Sequence, residues 1–98
     1  MRDFENPMRY PVTLTPAVEG GFVVSFPDIP EALTQGNTRH DALQAAQAAL
    51  ITAFEFYFDD NEAIPLPSAV SAEDDYVEIP LSVASKVLLL NAFLESKI

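Results

Sequence analysis

The chain has 98 residues, 49% hydrophobic and 20% charged, a balance that supports one folded domain and excludes disorder. It contains no cysteine, which excludes disulfides, thiolate metal sites and cysteine nucleophiles together. With 15 acids against 5 Lys and Arg, the net charge of −10 repels phosphate backbones and suits a cationic protein partner.

The opening Arg2 to Pro7 is polar and reads as a frayed end. Its acids and proline stand where a secretory signal needs an apolar run, so a cytoplasmic address is expected. Met8, Tyr10, Val12 and Leu14 alternate with polar residues, the pattern of a half-buried strand. Pro11 has no N–H to give a ladder, which calls for an edge position. Gly20 and Gly21 supply turn chemistry, and Phe22 to Ser25 returns as the second strand of a hairpin. Phe22, Val24 and Phe26 share one face. Pro27 and Pro30 then force a turn, and Leu33-Thr34-Gln35-Gly36 reads as a short third strand.

Thr38 is a good N-cap, with Asp41 at capping-box spacing. No Gly or Pro interrupts Arg39 to Phe58, and alanine is abundant, so a long helix is predicted there. Leu43, Ala46, Leu50, Ala53, Phe54 and Tyr57 recur at helical spacing as its core stripe. Ile64-Pro65-Leu66-Pro67-Ser68 is extended by its prolines. Tyr76 to Ile79 reads as a fourth strand, and Ser82 as the cap of a second helix reaching about Lys97. Val83, Val87, Leu90 and Leu94 lie on one face of that helix, beside Ala84, Leu88 and Phe93. An apolar face this wide needs the chain's own sheet, a twin subunit or a further segment to cover it. The segment Val83 to Leu94 is too short and too often interrupted to cross a bilayer. The fold class is therefore α+β, a small antiparallel sheet of hairpin plus third and fourth strands, packed on one long helix and followed by a C-terminal helix.

Candidate chemistry is sparse. His40 stands alone, without nucleophile or ligand company, and reads as a surface residue. Asp59, Asp60 and Glu62, and then Glu73, Asp74 and Asp75, lack the glycine and alternating ligands of a calcium loop. They read as solvated acids that attract a cationic partner, and they are the partner-binding candidates. Asp28 and Glu31 lie in a turn that could face a pocket, which leaves a residual hydrolase as a weaker option. The three glycines match no phosphate-binding spacing. No catalytic residue, metal ligand or cofactor is assigned.

Taken in order, Gly20-Gly21-Phe22-Val23-Val24-Ser25-Phe26-Pro27-Asp28-Ile29-Pro30, Thr34-Gln35-Gly36-Asn37-Thr38, Ala42 and Ala46, and Ile79-Pro80-Leu81-Ser82-Val83-Ala84-Ser85-Lys86 resemble the HicB family of antitoxins. The resemblance runs from Met8 through nearly the whole chain. It implies a truncated RNase H-type domain over residues 8–80, with residues 81–98 beginning an oligomerisation or DNA-binding segment. It also implies a non-enzymatic antitoxin of a type II toxin–antitoxin system that neutralises a HicA-like mRNA-cleaving toxin. The alternative it allows is an oligomeric repressor, dimer or tetramer, of its own operon, touching operator DNA only through a segment beyond Ile98. Many relatives carry Gly-Cys where this chain has Glu31-Ala32, and an acidic pair where it has His40-Asp41.

Overall fold

The computed structural model describes residues 8–71 and 73–96; the polar end expected over Arg2 to Pro7, and Lys97, lie outside the described residues. The element order is β1 (Arg9–Pro11), β2 (Thr13–Pro16), β3 (Phe22–Ser25), β4 (Leu33–Gly36), α1 (Arg39–Asp60), β5 (Tyr76–Glu78) and α2 (Leu81–Glu95). All strand pairs are antiparallel.

The alternating run from Met8 is extended as its pattern requires, but it changes partner at Val12. Its first half pairs with β5, Tyr10 opposite Val77, and its second half pairs with β3, Leu14 opposite Val24. The expected single sheet is thus a two-stranded ladder, β1-β5, and a three-stranded one, β2-β3-β4. Val12 joins them: its N–H donates to the Asp75 carbonyl at 3.0 Å. Among the described residues Pro11 sits in a strand that pairs with β5 alone, which tolerates its missing donor. In the β2–β3 turn Gly20 and Gly21 take φ of 107° and 78°, a region that side chains disfavour.

Helix α1 starts where the sequence indicates. The Asp41 N–H donates to Thr38 Oγ1 at 3.0 Å, and Asn61 ends the helix in the left-handed conformation at φ 55°. Its 22 residues span about 33 Å. Ala42, Ala46, Leu50, Ala53, Phe54 and Tyr57 are its buried residues, so Ala42 takes the place expected for Leu43, which is only partly buried. The cause is the end of β4. A Cβ at Gly36 would lie 2.4 Å from the Ala42 nitrogen, so strand and helix backbones approach closely there, at the small, fully buried Ala42.

The core lies between the strands and α1. Tyr10, Val24, Phe26, Ile29, Leu50, Phe54, Ile64, Ile79 and Val87 are its largest fully buried side chains. Tyr10 meets Phe54 edge to face, 5.5 Å between ring centres, and its hydroxyl donates to the Pro65 carbonyl at 2.8 Å. That bond satisfies the one polar atom of a buried ring and pins the extended segment that follows α1.

Helix α2 begins two residues earlier than a Ser82 cap would start it, at Leu81. The Pro80 carbonyl accepts the Val83 and Ala84 N–H groups at 3.0 and 2.9 Å, and no side chain caps this end. Ala84 and Val87 are buried, and Val83 and Leu90 pack against the core, while Leu94 is half-buried. This face therefore turns toward the chain's own interior. Leu81, Leu88, Leu89 and Phe93 are exposed on the other side. Asn91 ties the helix down by gripping both backbone groups of Ile64.

Candidate functional site

The acids nominated by the sequence form two groups, and the fold holds them apart. Asp59 and Asp60 close α1, with Glu62 just beyond, all exposed. Asp75 instead forms an ion pair with Arg39, the first residue of α1, so the Glu73–Asp75 group lies at the opposite end. About 30 Å of helix separates the two groups. Asp74 is partly occupied in its own turn, where it accepts the Ser71 N–H at 3.0 Å.

Charge on the described surface is poorly balanced. Among the described residues the ion pairs are Arg39–Asp75 and Arg9–Glu78, the latter at 2.9 Å. Arg9 also lies over the Tyr76 ring, 5.1 Å from its centre. Glu19, Asp41, Glu55, Asp59, Asp60, Glu62 and Glu73 have no such counter-ion among the described residues.

Asp28 and Glu31 are committed to holding the chain. Asp28 accepts the Ser68 N–H on one carboxylate oxygen and the Ser68 hydroxyl on the other, each at 2.7 Å. This fastens the turn after β3 to the segment after α1. Glu31 Oε1 accepts the Tyr57 hydroxyl at 2.7 Å. Burial pushes the Tyr57 phenol up to about 12, and the Glu31 hydrogen bond and the charges of Glu31 and Glu62 add to it. Burial, with the Asp28 charge second, also raises Tyr10 above the ordinary phenol range. His40 is exposed at the start of α1, beside Tyr76 and Glu78. Among the described residues, no three His, Cys, Asp or Glu side chains are grouped to hold a metal ion. Among the same residues no helix is long and apolar enough to cross a membrane.

One feature escaped the acid-based reading. A groove of about 720 Å³ runs between β4 and α1, floored by Ala45, Ala48, Ala49 and Thr52 and flanked by exposed Leu33 and Phe56. Its sequence signal is a run of small residues at helical spacing beside the core stripe, where a solvated face normally carries longer polar side chains.

A sequence model described as the HicB_like antitoxin of bacterial toxin–antitoxin systems matches residues 9–88. The chain belongs to this family. Antitoxin HicB of Escherichia coli K12 is 70% identical over 91 residues, a match covering 93% of this chain and 66% of that protein. Antitoxin HicB 1 of Photorhabdus laumondii is 72% identical over the same length, covering 93% of this chain and 57% of that protein. The chain thus spans less than two thirds of the length of these relatives. Among solved structures, a chain of a HicA3 and HicB3 toxin–antitoxin complex superposes with a TM-score of 0.58 at 28% identity, covering 74% of this chain and 99% of that one. The N-terminal domain of Burkholderia pseudomallei antitoxin HicB gives the same TM-score at 18% identity, covering 74% of this chain and 96% of that one, and shares the fold.

Proposed function

We propose that this chain is the toxin-binding part of an antitoxin, which neutralises a HicA-like mRNA-cleaving toxin by occupying its surface and performs no chemistry itself. The observation that carries the reading is the surplus of unpaired carboxylates on a fold of the HicB-like antitoxin family. A basic ribonuclease presents to RNA the same positive surface that this chain is charged to meet. Family membership and the likeness to a chain from a HicA3 and HicB3 complex support the same partner. Such a role belongs in the cytoplasm, beside the mRNA that the toxin cuts. The test is expression with a HicA-like toxin from E. coli K12, host of a 70% identical relative. Restored growth and co-purification of the two chains are expected; continued growth arrest with no complex formed would count against the reading.

A second reading is favoured by α2. Its exposed Leu81, Leu88 and Leu89 offer an apolar strip suited to a second copy, as in an oligomeric repressor of the chain's own operon. Operator contacts would then come from a segment C-terminal to α2, since Lys86 is the one cation described on that helix. Sedimentation of the purified chain tests it: a dimer or tetramer lost in Leu88→Glu supports it, and a monomeric wild type refutes it.

A further inference from the structure

Three sheet edges in this fold, those of β5, β2 and β4, meet different fates. The β5 edge is blocked where Gln47 Nε2 donates to the Glu78 carbonyl at 2.7 Å. Strand β2 ends in Pro16, which offers no N–H. Strand β4 contains no proline, pairs with β3 on one side, and among the described residues has no other hydrogen bond on its backbone. An edge left open in this way is a template for a further strand.

Beside that edge lies the alanine-floored groove. Leu33 and Phe56, 65% and 66% exposed, stand at its rim. A second hollow, about 570 Å³ and more polar, shares Ala45 with it and continues past Gln35 and Asn37 toward Glu19 and Asp41. The combined trough carries Glu31 toward one end, Glu19 and Asp41 at the other, and no Lys or Arg in its lining.

We infer that this trough is the docking site of an extended segment of the cationic toxin, which adds a strand to β4 and lays small apolar side chains over Ala45, Ala48 and Ala49. The segment's Lys or Arg residues reach Glu31 in one direction and Glu19 and Asp41 in the other. Charge selects this occupant over a second copy, because a twin chain would bring the same acids to the same trough. The four residues of β4 present about 13 Å of edge, enough for a short strand. Leu33 and Phe56 are placed to become the buried anchors that such a contact needs. The inference rests on the antitoxin reading and names the surface through which that reading works.

The experiment pairs the chain with the E. coli K12 HicA-like toxin and reads affinity, amide hydrogen exchange and sedimentation. Ala48→Arg and Ala49→Arg fill and recharge the groove with little loss of helix propensity, so folding is expected to hold by circular dichroism. Each is expected to weaken toxin binding at least tenfold, while the off-groove control Leu66→Arg stays near wild type. Toxin binding is expected to slow exchange at Leu33–Gly36. Failure of the wild-type chain to bind the toxin would overturn the antitoxin reading and this inference together. Wild-type binding with unchanged affinity in both arginine variants, or with no protection at β4, would overturn the groove alone. So would a wild-type dimer that Ala49→Arg converts to a monomer.

Discussion

Asn91 donates its Nδ2 hydrogen to the Ile64 carbonyl and accepts the Ile64 N–H, both at 2.9 Å, so one side chain does for one residue what a neighbouring strand does for many. Ile64 is 2% exposed, and water cannot easily replace these partners. Asn91→Ala removes both bonds and orphans a buried donor and acceptor. The expected loss is about 2–4 kcal/mol, read as a lower urea midpoint with unchanged slope. The same reasoning separates Gly20 of the β2–β3 turn from Gly36 at the end of β4. Gly20 has φ of 107° but open space around it, so Gly20→Ala costs backbone strain alone, about 1 kcal/mol. Gly36→Ala places a methyl 2.4 Å from the Ala42 nitrogen and 2.6 Å from its Cα, both backbone atoms that cannot swing aside. Strand β4 must then lift from α1, at about 2–3 kcal/mol, and thermal unfolding should show the two variants clearly apart.

Helix α1 is tied to the turn before β4 by the Tyr57–Glu31 hydrogen bond, and that tie carries a pH signature. The Tyr57 phenol is raised from its ordinary 10 to about 12 in the folded chain, first by burial and then by Glu31. A raised folded pKa means that the contribution is complete below pH 10 and is lost as pH climbs through about 12. Wild type should lose stability over that window from this group, and Tyr57→Phe should lose correspondingly less, measured by urea midpoints from pH 9 upward. Little of this tie was legible beforehand, because residues 26 positions apart meet only once the sheet has folded on the helix. Local chemistry was legible: Thr38 marks the start of α1, the absence of Gly and Pro sustains it, and Gly20-Gly21 turns the hairpin. The order of the elements was legible as well, from strand alternation and helical spacing, and the HicB-like resemblance agrees with it. What pattern missed was non-local. The partner change at Val12 depends on where β5 lands, Leu43 yields to Ala42 because Gly36 presses there, and Pro80 rather than Ser82 starts α2 through its carbonyl.

Over the molecule as a whole, the acids set both stability and encounter, in opposite directions. Asp59 and Asp60 sit at the C-terminal end of α1, whose last turn has no basic residue, so they face the negative end of the helix dipole. Replacing them together with Glu62, as Asp59→Asn, Asp60→Asn and Glu62→Gln, should therefore stabilise the fold, by about 0.5–1 kcal/mol at low salt. The same change removes three negative charges from one end of α1. Association with a cationic toxin should slow, and its dependence on ionic strength should flatten, while dissociation moves little. The other acidic group is no equivalent test, since Asp75→Asn breaks the pair with Arg39 and so alters the fold at the start of α1. Stopped-flow mixing at several salt concentrations reads the association rate, and thermal unfolding of the same variant reads its stability. A variant that is more stable yet slower to associate would mean that these carboxylates serve the partner at the helix's expense. Unchanged association would confine the electrostatic encounter to the β4–α1 trough and the far end of the helix.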